Sequence, residues 1–329
     1  MKRAGIAAWL AEWRGDRERY WLAGAALALV VSFFAPTLRW QRDAFEHVIV
    51  LDVTQSMNVP DQMLEGKPAS RLVFAKHALH QALDALPCGS KVAWGLFTDN
   101  RSYLLFTPVE VCANRAELRA TLANIDSRMA WAGNSEVAKA LHSGIVVAKG
   151  LPGTPSLVFI TDGQEAPPLH PRHRPPFDDK PGDVQGLIVG VGARQPVPIP
   201  KTDPSGRPLG VWAADEVEQV DIYSRGGSTD QPAPSGEDRA AVSVAVVGAT
   251  PGSEHLSAMR ESYLRLLAGE NGLTFHHLLS ASEFADALRA KALARSIEAP
   301  GDLRPFFAAL ALIFLLLRHL GAWRAAGLR

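Results

Sequence analysis

Residues His47–Met57 read His-Val-Ile-Val-Leu-Asp-Val-Thr-Gln-Ser-Met, and this stretch decides the fold. Its apolar run, Val48–Leu51, is typical of a strand that is buried on both faces, as in a parallel sheet. Asp52, Thr54 and Ser56 follow on a loop that leaves the carboxyl end of this strand. Ligands of open α/β sheets bind at that end, and hard oxygen donors of mixed charge suit a Mg²⁺-like cation.

The rest of the chain alternates between strand-like and helix-like patterns. Apolar runs predict further strands at 91–98, 103–107, 156–161, 187–191 and 242–247. Helical periodicity predicts helices at 72–86, 116–125, 137–145, 257–267 and 281–294. This alternation predicts a doubly wound α/β domain, with a mostly parallel sheet and helices on both faces. Residues 194–238, rich in Pro, Gly and Ser, form a predicted insertion that is too long for an ordinary loop.

Two later loops carry the same kind of side chain as the first. Ser135 follows a Gly-Asn turn near the N-cap of the next predicted helix, and Asp162 follows the strand 156–161 in Thr-Asp-Gly. Because all three loops leave the same edge of a parallel sheet, we expect their side chains to converge. The candidate metal-ligating residues are Asp52, Thr54, Ser56, Ser135 and Asp162.

Together the three loops resemble the metal-ion-dependent adhesion site (MIDAS) of von Willebrand factor A domains. The family motif Asp-x-Ser-x-Ser appears as Asp52-Val-Thr-Gln-Ser56. Ser135 replaces the Thr of the family's second loop before Ala140-Leu141, and Phe159-Ile-Thr-Asp-Gly163 matches the third loop closely. In each substitution the hydroxyl group is kept.

This resemblance implies a site for Mg²⁺, or for Mn²⁺ or Ca²⁺. Thr54, Ser56 and Ser135 would offer hydroxyl oxygens to the ion, whereas Asp52 and Asp162 would act largely through water. One coordination position would stay free for a carboxylate of a partner protein. Zinc is discounted because Thr and Ser are poor ligands for it.

Within this family, the sequence resembles two particular groups of bacterial proteins. The predicted anchors and domain resemble Bat-type bacterial proteins encoded beside MoxR-type AAA+ ATPases. Five stretches are most similar to MxaL-type accessory proteins of methanol oxidation, namely Leu51–Met57, Leu86–Ser90, Pro108–Asn114, Met129–Ser135 and Pro198–Lys201. The implied role is assembly or maturation of a periplasmic quinoprotein dehydrogenase, including its Ca²⁺ loading. A Bat-like stress or aerotolerance protein and a structural scaffold with a vestigial metal site stay open as alternatives.

Other function classes are less compatible with the sequence. Haloacid-dehalogenase phosphatases also place an Asp after the first strand, but their chemistry requires a second carboxylate in Asp-x-Asp. Position 54 is Thr, so we expect no enzymatic activity. The formal net charge is zero and no basic patch with interleaved aromatic residues is present, which argues against nucleic-acid binding.

Two apolar runs predict membrane anchoring. Residues 20–38 carry no charge and are just long enough to span a bilayer, and 305–323 form a second predicted span that Arg318 interrupts. A cleaved signal peptide is the alternative for the first run, and a buried or interfacial helix for the second. Flanking basic residues place 1–19 in the cytoplasm and the domain 43–295 in the periplasm, at a bacterial inner membrane.

The chain contains two cysteines, Cys88 and Cys112. A tight turn at Asp99-Asn100 predicts an antiparallel hairpin, and the two cysteines lie almost equally far from that turn. They should therefore meet at the same end of the hairpin and form a disulfide in an oxidising compartment. Two buried free thiols are the alternative.

Overall fold

The computed structural model describes residues 17–34, 38–170, 174–178, 180–219, 252–301 and 303–326. The chain divides into two compact units, one of Met1–Arg42 with Ser296–Arg329 and one of Asp43–Arg295. The strand predicted at 242–247, the first sixteen residues and positions 220–238 of the predicted insertion lie outside the described residues.

The described strands and helices are numbered in chain order. The strands are β1 (Leu38–Asp52), β2 (Gln62–Leu64), β3 (Lys67–Ala69), β4 (Lys91–Thr98), β5 (Arg101–Leu104), β6 (Val109–Glu110), β7 (Ser156–Thr161), β8 (Gly186–Gly190), β9 (Val197–Pro198), β10 (Pro200–Thr202), β11 (Pro208–Val211), β12 (Leu256–Ser257), β13 (Thr274–His277) and β14 (Ala294–Gly301). The helices are α1 (Arg17–Phe33), α2 (Arg71–Ala85), α3 (Arg115–Asn124), α4 (Val137–Gly150), α5 (Glu261–Asn271), α6 (Ala281–Leu288) and α7 (Arg304–Ala326).

The main sheet has β1 near its centre, in the order β13-β8-β7-β1-β4-β5, with β14 paired to β1 and β6 paired to β4. Neighbours from β13 to β4 are parallel, whereas β5 and β6 run antiparallel to β4. The chain leaves β1 toward β4 on one side and reaches β7 on the other. The strand order therefore reverses between β1 and β7, where an open α/β sheet forms its ligand-binding crevice. The predicted α/β architecture is confirmed.

Alternate residues of β1 face two hydrophobic cores. Ile49 and Leu51 pack with α2, α3 and α6, whereas Val48 and Val50 pack with α4 and α5. Trp94 of β4 is fully buried in the first core, and its indole Nε1 donates a hydrogen bond to the Leu118 carbonyl at 3.0 Å. Helices thus cover both faces of the sheet, as the uninterrupted apolar strands predict.

The chain near the C-terminus departs from the sequence prediction. A single helix is predicted over 281–294, but α6 ends at Leu288 and the chain enters β14 at Ala294. Strand β13 was not predicted either. Alanine-rich segments favour helix, yet the pairing of β14 with β1 and of β13 with β8 overrides that local preference.

Helices α1 and α7 cover most of the two segments that the sequence predicts as membrane spans. Within the described residues, no helix is long and apolar enough to cross a membrane. Helix α1 ends at Phe33 and has 17 residues, so it measures about 26 Å against a bilayer core of about 30 Å. In α7, Arg318 interrupts the apolar run. The prediction of spans at 20–38 and 305–323 is therefore not supported by these helices.

Small residues bring α1 and α7 close together. Ala25, Ala28 and Ala311 are buried between the two helices, and an added Cβ at Gly24 would lie 3.2 Å from the Phe314 ring. Large apolar side chains of both helices remain exposed, among them Leu27, Val30, Phe33, Phe306, Leu312 and Leu316.

The predicted hairpin and its disulfide are confirmed. Strands β4 and β5 pair antiparallel, with Gly95 opposite Leu104, although β5 ends earlier than predicted. Cys88 and Cys112 form a disulfide with a Cα–Cα distance of 5.3 Å. The covalent link joins the residues that flank β4 and β6 at one end of this antiparallel edge.

His47 makes the stability of the larger unit depend on pH. It is fully buried in β1, its Nε2 lies 3.0 Å from the Leu288 carbonyl oxygen, and burial lowers its pKa from 6.5 to about 4. Below pH 6.5 the unfolded chain binds a proton that the native state does not. The stabilisation from neutral His47 is therefore present above pH 6.5 and is lost as the pH falls toward 4, by up to about 3 kcal/mol.

Urea denaturation between pH 8 and pH 4 measures this effect. We expect the difference in the free energy of unfolding between His47→Gln and the parent protein to move in favour of His47→Gln as the pH falls from 6.5 to 4, because Gln keeps a donor for the Leu288 carbonyl and does not titrate. His77→Gln, on the less buried surface of α2, is the matched control. Parallel pH profiles for the parent protein and His47→Gln would contradict the assignment.

Candidate metal centre

The structure brings the five predicted residues to the carboxyl edge of β1 and β7. Each has an exposed fraction of 5% or less. Thr54, Ser56 and Ser135 line a cleft of about 250 Å³, whereas Asp52 and Asp162 are completely buried. The three hydroxyl-bearing residues therefore border the cleft, whereas the Asp52 and Asp162 carboxylates lie behind them in the interior.

The first loop is organised by the Asp52 carboxylate. Its Oδ1 accepts hydrogen bonds from the Thr54 amide at 2.9 Å and the Thr54 hydroxyl at 2.7 Å, and its Oδ2 accepts from the Thr161 hydroxyl at 2.7 Å. The Ser56 Oγ lies 3.3 Å from the Thr54 Oγ1. Because Thr54 directs its proton to Asp52, the lone pairs of its oxygen remain available for a cation.

The second loop is joined to the third by Ser135. The Ser135 backbone exchanges two hydrogen bonds with Ala166, and its hydroxyl donates to the Gln164 carbonyl at 2.8 Å. Ser135 therefore lies next to the N-cap of α4, Glu136, as expected, but its side chain does not cap the helix. Instead, the buried Glu165 carboxylate accepts from the first two amides of α4, Val137 and Ala138, both at 3.1 Å.

The Glu165 carboxylate that caps α4 has a third hydrogen-bond donor and a raised pKa. Its Oε1 also accepts a hydrogen bond from the Tyr263 hydroxyl at 2.5 Å. Burial raises the pKa of Glu165 to about 7, although these hydrogen bonds act in the opposite direction. A carboxylate at a helix N-terminus satisfies amides that lack partners within the helix, so Glu165 holds the second loop against the third.

The third loop fixes both oxygens of Asp162. Oδ1 accepts from the Gln164 amide at 2.9 Å, and Oδ2 accepts from the Arg71 Nη1 at 2.5 Å and the Ser257 hydroxyl at 3.2 Å. Gly163 has a φ of +81°, and a Cβ there would approach Leu264 to 3.0 Å. Glycine at this position therefore lets the loop pass close to α5.

Electrostatics favour a cation at this place. Burial and, next, the negative charge of Asp162 raise the pKa of Asp52 to about 7, although hydrogen bonds from Thr161 and Thr54 act in the opposite direction. A divalent ion near the two carboxylates would relieve that repulsion. Oxygen donors alone, with hydroxyls facing the cleft, suit Mg²⁺, Mn²⁺ or Ca²⁺, so the residues present fit such an ion.

Several residues that support the site are not among those that the sequence pattern indicates. Thr161 directly precedes the predicted ligand Asp162, so its place in the sequence could have indicated that it supports the site. Arg71 and Ser257 gave no such indication, because each reaches Asp162 from a distant part of the chain. Gln164 contributes its backbone amide and carbonyl, which no side-chain pattern reveals.

A segment of the predicted insertion lies against the first loop. This segment, residues 197–219, is called the strap here. Its strand β9 pairs with β12, β10 and β11 form a hairpin, and the Trp212 indole Nε1 donates a hydrogen bond to the Gln55 side chain. The Lys201 ammonium lies 4.5 Å from the centre of the Trp212 ring. Trp212, Glu216 and Glu218 line the cleft, so the strap forms one of its walls.

The family comparison agrees with this geometry. Residues 47–164 match the family model of the von Willebrand factor type A domain. The matched span begins in β1 and ends just after Asp162, so it contains all three loops. The chain contains a von Willebrand factor type A domain.

Solved structures similar to this chain include three from different organisms. An aerotolerance-related membrane protein from Bacteroides fragilis is 15% identical, with 75% of this chain and 97% of that chain covered and a TM-score of 0.46. The ArnB paralog VWA2 from Sulfolobus acidocaldarius is 12% identical, with 79% and 48% covered and a TM-score of 0.40. An uncharacterized membrane spanning protein from Vibrio fischeri is 13% identical, with 75% and 96% covered and a TM-score of 0.28.

The comparison with curated proteins finds no significant match. The family identification therefore rests on the matched span and on the three loops within it.

Trp212 should report cation binding to the von Willebrand A domain. Its hydrogen bond to Gln55 joins the strap to the residue between Thr54 and Ser56. We expect Mg²⁺ to change the intrinsic fluorescence and Mn²⁺ to quench it, because an ion at these hydroxyls perturbs the loop that holds the indole. Trp212→Phe should lose most of this signal while it keeps its cation affinity in calorimetry. Trp131→Phe, on the exposed second loop, is the control, and an undiminished signal in Trp212→Phe would contradict the assignment.

Proposed function

We propose that the von Willebrand A domain is a divalent-cation-dependent protein-binding module. Thr54, Ser56 and Ser135 would hold the ion, with Asp52 and Asp162 supplying negative charge from the interior. The observation that carries this proposal is the arrangement of these five residues: the three hydroxyl-bearing residues line one cleft, and the two aspartates are completely buried behind them. When bound, the ion would supply a Lewis-acid position for a carboxylate of the partner.

The proposed mode of action is binding rather than catalysis. Asp52 already accepts three hydrogen bonds, and the neighbouring hydroxyl of Thr54 cannot serve as the second carboxylate of a phosphatase. The chemistry that these residues support is the exchange of a water ligand for an acidic side chain. A cleft of about 250 Å³ accommodates a group of that size.

For the partner, the sequence resemblance suggests a periplasmic quinoprotein dehydrogenase or one of its maturation proteins. In that case the domain would act as an accessory or assembly factor. The alternative is a Bat-like aerotolerance or stress role with a MoxR-type AAA+ ATPase and other von Willebrand A proteins. The two roles predict different captured proteins and are separated by the same experiment.

We also propose that the protein works at a bacterial inner membrane with its main unit in the periplasm. The Cys88–Cys112 disulfide supports an oxidising compartment. Exposed apolar side chains on α1 and α7, including Leu27, Phe33 and Phe306, support contact with lipid. Recovery of the protein in the membrane pellet of lysed cells would support this location, and full recovery in the supernatant would contradict it.

Capture from detergent-solubilised membranes tests the proposed function. The bait is the full chain, used with Mg²⁺ or with EDTA, and compared with Asp52→Asn and the exposed control Asp84→Asn. We expect the parent protein and the control to retain an acidic partner only with Mg²⁺, and Asp52→Asn to retain none. Identical captured proteins in all samples would reject metal-dependent binding and leave the scaffold role.

A further inference from the structure

A buried arginine lies directly behind the candidate metal centre. Arg71, the first residue of α2, is completely inaccessible to solvent. Its guanidinium forms ion pairs with Asp162 at 2.5 Å and Asp61 at 2.7 Å. It also donates to the Ser257 hydroxyl at 2.6 Å and to the Ser56 carbonyl at 3.4 Å. A buried charge with this number of partners is held in one place.

The surrounding chain is shaped to accommodate this guanidinium. Gly192 has a φ of +125°, and a Cβ there would lie 2.6 Å from the Arg71 Nε. The Ala193 amide donates to the same Asp61 oxygen that Arg71 contacts, at 2.9 Å. The end of β8, the first metal loop and β12 therefore all meet at Arg71.

Asp52 and Asp162, the two acidic residues of the candidate metal centre, therefore have different kinds of hydrogen-bond partner. Asp52 accepts hydrogen bonds from an amide and from neutral hydroxyls. Asp162 has one oxygen shared between Arg71 and Ser257. A fixed cation beside Asp162 competes with a metal ion for its negative charge, and it holds that carboxylate in a set orientation.

We propose that Arg71 is a positioning residue that keeps Asp162 from ligating the cation directly. This inference rests on the proposed function. By holding Asp162 back, Arg71 lowers the affinity for the ion, but it leaves more of the ion's charge to attract the partner's carboxylate. An arginine with a purely structural role has the opposite signature, since its removal would loosen the loops and weaken cation binding.

Calorimetric titration with Mg²⁺ or Mn²⁺, without any partner protein, distinguishes these two roles because they predict opposite changes in cation affinity. The variants are Arg71→Met and Asp61→Asn/Arg71→Met, the second of which also removes the carboxylate that would lose its partner. We expect both to bind Mg²⁺ more tightly than the parent, on the order of tenfold, because Asp162 is freed and a nearby positive charge is removed. The increase in melting temperature caused by Mg²⁺ should grow in parallel. Arg71→Lys keeps the charge and should remain closer to the parent than to Arg71→Met.

The possible outcomes separate this inference from the proposed function. If the parent protein binds neither cation, the proposed function fails. If the parent binds Mg²⁺ and the folded variants bind it equally or more weakly, the positioning role is rejected while the proposed function stands. If neither variant folds with or without 10 mM Mg²⁺, Arg71 is a structural residue and the inference is likewise rejected.

Discussion

Replacing Asp52 with Asn is expected to abolish divalent-cation binding and to stabilise the metal-free protein. Asn keeps the shape of the side chain and can still accept from Thr54, but it supplies no charge to the ion. Without metal, the buried carboxylate is unfavourable because of desolvation and the nearby charge of Asp162. We therefore expect at least a 100-fold loss of Mg²⁺ affinity together with a higher free energy of unfolding at pH 8. Such opposition between stability and activity is common at functional sites.

The raised pKa of Asp52 determines at which pH the Asp52→Asn variant should be more stable than the parent protein. The pKa of Asp52 is raised from 3.8 to about 7. Between these values the native state holds a proton that the unfolded chain has released, so the contribution of Asp52 to the free energy of unfolding without metal falls as the pH rises from 4 to 7. The loss is complete above pH 7 and amounts to at most about 4 kcal/mol. Asp52→Asn should remove this contribution.

Calorimetric titration with Mg²⁺ and urea denaturation in EDTA at pH 5 and pH 8 measure both effects. Asp84→Asn changes an exposed carboxylate and should leave both measurements as in the parent protein. Unchanged Mg²⁺ affinity in Asp52→Asn would show that Mg²⁺ binding does not depend on the Asp52 carboxylate of the first loop.

Loss of the disulfide is expected to produce the second large effect. Cys88 and Cys112 are separated by 24 positions, and closing a loop of that length stabilises a protein by about 3 kcal/mol. For a unit of this size, that corresponds to a decrease of about 6–12 °C in melting temperature. The physical reason is that the link restricts the unfolded chain at the end of the β4–β6 pair.

Cys88→Ser/Cys112→Ser provides the measurement, by thermal unfolding in oxidising and reducing buffer. The parent protein in reducing buffer should match the double variant, and the variant should not respond to the reductant. Equal melting temperatures for the oxidised parent and the double variant would contradict the predicted contribution. Cation affinity should stay unchanged in both, because the disulfide flanks the opposite ends of β4 and β6 from the metal loops.

Much of the fold follows from local patterns in the chain. The apolar strands β1, β4 and β7 require cover on both faces, which specifies a parallel sheet with two helical layers. The disulfide follows from the Asp99-Asn100 turn, because an antiparallel hairpin relates residues at equal distances from its turn. Asp52, Ser135 and Asp162 could be placed near one another because parallel strands end at the same edge of a sheet.

The sequence by itself therefore determined the parallel strands β1, β4, β7 and β8, the hairpin with its disulfide and the three loops that carry oxygen ligands. Only the tertiary structure showed that Arg71 binds Asp162, that Glu165 caps α4 and that Trp212 holds the strap against Gln55. Periodicity reports which side chains are buried, but it does not report their partners. Asp162 lies 91 positions from Arg71 and 95 from Ser257, so their meeting depends on how β7, α2 and β12 pack. The charge around the candidate ion is set by those long-range contacts.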